Sequence, residues 1–115
     1  MVAHTSEIKI KVGLDAEKVP VSIDWSASDM HPNGATEACK AMMIALFDDA
    51  HKDTLRIDLW TKDMQVIEMD RFMYRILQSL SETYLRATNN RDMAEQMAQF
   101  AHYFGQQTEI IEKEK

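Results

Sequence analysis

A chain of 115 residues, 45% hydrophobic and 28% charged, has the composition of one ordinary globular domain and not of a disordered chain. Nineteen acidic residues against thirteen basic ones give a net charge of -6 with no basic stripe, so nucleic acid and anionic lipid surfaces are poor partners. Cys39 is the single cysteine, which rules out an internal disulfide and suits a reducing compartment.

The first residues lack a charged stretch followed by an apolar one, so no signal peptide is expected. No apolar run approaches the ~20 residues that span a bilayer. A cytoplasmic protein without direct membrane insertion is the expectation. Residues 1–6 read as a loose lead. Residues 7–14 alternate, with Ile8, Ile10, Val12 and Leu14 on one face and Glu7, Lys9 and Lys11 on the other, a strand with one wet face. Residues 19–26 alternate again, Val21, Ile23 and Trp25 against Ser22, Asp24 and Ser26. Pro20 belongs at that strand's start or on an edge, because it donates no ladder hydrogen bond. The turn formers from Ser28 to Gly34 predict the longest internal loop.

Residues 36–47 are ambiguous. Their Ala, Met and Leu favour helix, yet a short acidic turn over residues 48–53 joins them to the next strand, as in a hairpin. We read a strand, with a buried helix as the alternative. Residues 54–60 alternate Leu55, Ile57 and Leu59 with Thr54, Arg56, Asp58 and Trp60. From Val66 the period becomes helical. Capping candidates lie at 61–64, an apolar stripe runs from Val66 to Tyr84, and the helix ends near Ala87. Asn89 or Asn90 caps a second helix, whose buried face is Met93, Met97, Phe100, Ala101 and Phe104. Gly105 is its expected C-cap. The predicted fold is α+β: a four-stranded antiparallel meander followed by two C-terminal helices packed on one face, a single domain over 7–105, with a polar tail over 106–115.

No stretch carries chemistry by itself. Asp48, Asp49, His51 and Asp53 could hold a divalent cation, but their spacing matches neither a calcium loop nor a zinc pair, and a solvated hairpin tip explains them better. His4, His31, His51 and His102 share no ligand spacing, and structural or surface roles are favoured. Cys39 has no adjacent histidine to activate it. There is no glycine-rich phosphate loop and no nucleophile elbow. No enzyme, cofactor or metal is therefore expected. The sheet surface says more. Strand 36–47 is apolar on both faces, so Met43 and Phe47, or Met42 and Leu46, fall on the otherwise wet face, where Trp60 joins them. An apolar stripe of Met43, Phe47 and Trp60 flanked by charge is a candidate interface, and a homodimer is the commonest use of such a surface. Of the nine methionines, Met69, Met73, Met93 and Met97 fall on the helical stripes as core, while Met42 and Met43 suit adaptable binding.

Thr54-Leu-Arg-Ile-Asp-Leu-Trp-Thr-Lys-Asp-Met64 resembles the central block of the small gliding motility-associated GldC proteins of bacteria. Ser6-Glu-Ile-Lys, Lys18-Val-Pro20 leading to Trp25, Lys40-Ala-Met, Phe47-Asp48, Arg86-Ala-Thr-Asn89 and Tyr103-Phe104 follow in the same order. The resemblance spans about residues 6 to 105. It implies a small cytoplasmic accessory protein of a gliding machinery linked to a dedicated outer-membrane secretion system, with no known enzymatic activity and no catalytic residues. Two other readings stand beside it. One is a secretion chaperone, since four strands followed by two helices resemble the export chaperone SecB in layout. The other is a small ligand- or metal-binding domain.

Overall fold

The computed structural model describes residues 1–112. Its elements are β1 (Ile8–Leu14), β2 (Pro20–Ala27), β3 (Glu37–Cys39), β4 (Ala41–Phe47), β5 (Thr54–Trp60), α1 (Val66–Thr88) and α2 (Arg91–Gln107). The strands belong to one compact unit ending at Met64, and the helices to a second beginning at Gln65. Antiparallel strands and two C-terminal helices make this an α+β chain, as the periodicities predict.

The single four-stranded meander is not what forms. The strands make a three-stranded sheet, β1-β2-β3, and a separate two-stranded sheet, β4-β5. The expected strand over 36–47 exists, and the alternative helix does not, but it changes partner at Lys40. Up to Cys39, opposite Ile23, it pairs with β2; from Ala41, opposite Trp60, it pairs with β5. The β2-β3 ladder ends at the Ile23–Cys39 pair, short of Pro20, which begins β2 and has no N–H to donate to a strand. The Pro20 carbonyl accepts from the Lys62 N–H at 3.0 Å, while the Lys40 carbonyl accepts from the Thr61 N–H at 2.8 Å. The first bond joins the end of β5 to β2, and the second carries the β4-β5 ladder one pair further, to Lys40. Thr61 is buried there, its hydroxyl donating to Asp63.

In the first sheet Val12 and Cys39 flank Ile23 in the ladder, and Ile10 lies opposite Trp25. Ile23, at 1% exposure, is the only large side chain fully buried among the described residues, so it is the keystone of the strand unit.

The helical unit is an antiparallel hairpin with a two-residue connection. Asn89 closes α1 in the left-handed region (φ 57°) and sends its N–H to the Leu85 carbonyl. Asn tolerates that conformation better than most residues. Asn90 opens α2 by accepting from the Met93 N–H at 3.2 Å, as its position in the sequence suggests. The start of α1 differs from expectation: Gln65 occupies the N-cap, and its N–H bonds to the Glu68 carboxylate at 3.0 Å. Thr61 and Asp63 are engaged with each other. Gly105 is not the C-cap either. It lies inside α2, whose last carbonyls are met by Thr108, and it is buried against Tyr74 of α1. Ile110 and Ile111 fold back and send their N–H groups to the Gly105 carbonyl. Residues 113–115 of the expected tail lie outside the described residues.

Candidate functional site

The β4-β5 ribbon carries the candidate surface. Its register is uninterrupted over seven pairs, from Ala41 opposite Trp60 to Phe47 opposite Thr54. Paired residues in an antiparallel ladder share a face. One face therefore holds Met43, Phe47 and Trp60, together with Arg56 and Asp58. The other holds three aliphatic pairs and nothing else: Met42–Leu59, Ile44–Ile57 and Leu46–Leu55.

The structure brings the three predicted interface residues onto one face but not into one patch. Met43 is diagonal to Trp60, near the open end of the ribbon. Phe47 is at the tip, six residue steps from the Ala41–Trp60 pair, or about 20 Å. Between them Arg56 donates to Asp58 at 2.8 Å, which breaks the apolar stripe with an ion pair. Phe47 and Trp60 are exposed (69% and 52%), while Met43 is half-buried. A shallow groove of about 310 Å³ runs beside Trp60, lined by Val19, Pro20, Asp58, Leu59 and Lys62.

On the aliphatic face Leu46, Leu55 and Ile57 are 52%, 57% and 41% exposed. The sequence signal was present in the two interleaved alternations, 42/44/46 and 55/57/59. Combining them required the register, which a four-residue tip fixes.

At that tip Asp48 turns inward. Its carboxylate accepts from the His51 N–H and lies 2.7 Å from the His51 ring Nδ1. Lys52, at φ 55°, supplies the left-handed residue that closes the turn. The four tip residues considered for a cation thus make a self-contained hydrogen-bonded turn. Among the described residues no group of three or more His, Cys, Asp and Glu converges on one point.

The loop after β2 forms a second polar centre. Ala27 N–H donates to His31 Nδ1 at 3.1 Å, so the proton resides on Nε2, which faces Glu37 at 3.5 Å. The ring lies edge-on to Trp25, 5.2 Å between centroids. A cleft of about 190 Å³ lies beside it, lined by Glu7, Lys9 and Ser26 among others. His4 and Ser6 both reach Asp29, and the Glu7 carbonyl accepts from the Ser28 N–H. His31 thus anchors the loop, and the N-terminal residues strap it.

The carboxylates that hold these turns are acidified. The Ser6 hydroxyl, then His4, keep Asp29 below its ordinary 3.8; the Lys62 ammonium, then the Val19 N–H, do so for Asp15; the His51 N–H and ring do so for Asp48. Each bond favours the ionised form. Their stabilisation is complete above pH 3.8 and disappears as pH falls through the lowered values. In a carboxyl NMR titration, Asp29 should show a midpoint below 3.8, and Ser6→Ala should move it upward. A midpoint at or above 3.8 in the parent protein would refute the strap.

No helix among the described residues is long and apolar enough to cross a membrane. A family model described as gliding motility-associated protein GldC-like matches residues 20–110. No curated protein and no solved structure matches the chain.

Proposed function

We propose, from the premise that this chain belongs to the GldC-like family of gliding motility-associated proteins, that it is a non-enzymatic accessory protein. In this reading it works from the cytoplasm by binding other proteins of the motility or linked secretion apparatus. The observation that carries the reading is the β4-β5 ribbon, which leaves Phe47 and Trp60 exposed on one face and Leu46, Leu55 and Ile57 on the other. Large apolar side chains at such exposure on both faces of a two-stranded ribbon suit binding to other proteins. Aromatic anchors beside an arginine are the side chains that dominate protein interfaces.

The test is affinity capture of the tagged chain from its own host, with mass spectrometry of what co-purifies. One or two stoichiometric envelope-machine components are expected. Trp60→Glu should abolish their capture while the strand signal in circular dichroism persists. Phe47→Glu, at the more exposed end, serves as a second probe. A broad set of unrelated unfolded precursors would instead make the protein an export chaperone, and capture indifferent to both substitutions would remove the ribbon from the interface.

A further inference from the structure

The outer edge of β5 carries backbone groups that no strand pairs among the described residues. Two backbone bonds fix the phase of the β4-β5 ladder: Asp48 N–H to the Asp53 carbonyl at the tip, and Thr61 N–H to the Lys40 carbonyl at the base. Hydrogen-bonded and non-bonded pairs alternate between those points. Leu55, Ile57 and Leu59 therefore direct their N–H and C=O groups at β4. Thr54, Arg56, Asp58 and Trp60 direct theirs away from it, and no strand pairs with β5 on that side among the described residues. The edge has no proline, no lysine and no bulge, and its charged side chains are Arg56 and Asp58; β1, an outer strand of the other sheet, has Lys9, Lys11 and an irregularity at Gly13/Leu14.

We propose that β5 pairs antiparallel with β5 of a second copy, about a two-fold axis through Ile57. The order Thr54-Leu-Arg-Ile-Asp-Leu-Trp60 is what selects a second copy as the occupant. Read against its own reverse, it sets Leu55 opposite Leu59, Ile57 opposite Ile57, and Arg56 opposite Asp58 twice over. The backbone phase permits this register, because Arg56 and Asp58 are the residues whose amides and carbonyls point outward. Moving the centre one residue either way keeps the phase but sets Arg56 against Arg56 or Asp58 against Asp58. Like charges directly opposite one another are unfavourable, so the side chains choose among the registers that the backbone allows.

Two further consequences fit. Phe47 lies opposite Thr54, and Thr54 lies opposite the second copy's Trp60. The two aromatic residues far apart on one ribbon thus fall into one row of the joined sheet. The aliphatic faces also become continuous, six side chains from each copy on four strands. Four strands with one apolar face reach the size at which a sheet supports a packed layer, which a lone ribbon does not. The Pro20 carbonyl, bonded to Lys62 N–H, closes the free edge just past Trp60.

This deepens the accessory-protein reading by naming one interface of the same ribbon, and it fails separately: solution mass reads the self-pairing, and affinity capture reads the partner. Sedimentation of the full chain should give twice 13.3 kDa. Amide exchange should be slow at Arg56 and Asp58 and should quicken on dilution. The Ile57 amide, bonded to β4, should stay protected throughout and so report the ribbon's own folding. Arg56→Asp or Asp58→Arg alone should weaken the dimer roughly 10- to 100-fold. The double swap, Arg56→Asp with Asp58→Arg, should restore it to within a few-fold. A monomer at every concentration overturns the proposal. So does a dimer whose Arg56 and Asp58 amides exchange freely, or one that both single reversals leave intact.

Discussion

Ile23→Ala should lower the stability of the strand unit by about 2–5 kcal/mol. Ile23 is 1% exposed, flanked in the ladder by Val12 and Cys39, and no other large side chain among the described residues is as deeply buried. Its removal takes away transfer energy and leaves a cavity in a small unit with little else to collapse into the space. Equilibrium unfolding in urea, followed by Trp25 and Trp60 fluorescence, should show a lower midpoint with an unchanged slope. Ile23→Val should cost only about 0.5–1.5 kcal/mol. A midpoint shift no larger for the alanine variant than for the valine one would show that the side chain is not the core.

Gly105→Val should disrupt the helical hairpin, against the usual gain from removing a glycine from a helix. A helix interior gives back about 1 kcal/mol when glycine becomes alanine. Here a Cβ would stand 2.6 Å from Tyr74 Cε1, 3.0 Å from its Cδ1 and 3.1 Å from Ile111 Cγ1. The Tyr74 ring is buried, with its hydroxyl accepting from Gln78 at 3.0 Å, so it is not a free end that swings aside. Overpacking of this kind costs about 1–3 kcal/mol, and the branched valine adds a second methyl to it. A lower helical melting temperature is expected, with Gly105→Ala intermediate. A valine variant as stable as the parent would mean that the helices part easily at this point.

Gly105 also marks where sequence reading stops. A glycine near the end of an apolar helical pattern reads as a C-cap, because its conformational freedom is visible in the sequence and its lack of bulk against another helix is not. Strand and helix periods were legible from Ile8 to Phe104, because one-sided burial writes itself into the alternation. The turn at 48–53 and the Asn89–Asn90 break were legible for the same reason, since backbone needs at those points admit few residue types. The partner switch at Lys40 was not, since one polar residue between Ala38 and Phe47 does not say which strand lies opposite on either side of it. The candidate surface was half legible. Met43, Phe47 and Trp60 do share a face, but Arg56 and Asp58 divide it. The wholly aliphatic face and the outward amides of β5 emerge only when two strands are placed in register.

Among the described residues the ladders join only sequence neighbours: β1 with β2, β2 with β3, β4 with β5, while α1 packs on α2 across two residues. Closing such short loops costs little entropy, and hairpins of this kind form in microseconds. Each ribbon and the helical hairpin can therefore assemble while the rest of the chain is still being synthesised. Docking between chains, by contrast, waits on diffusion and concentration. In the proposed β5 pairing, a newly made copy would pass through a folded, solitary stage, and the time spent there would be set by how much of the protein the cell makes.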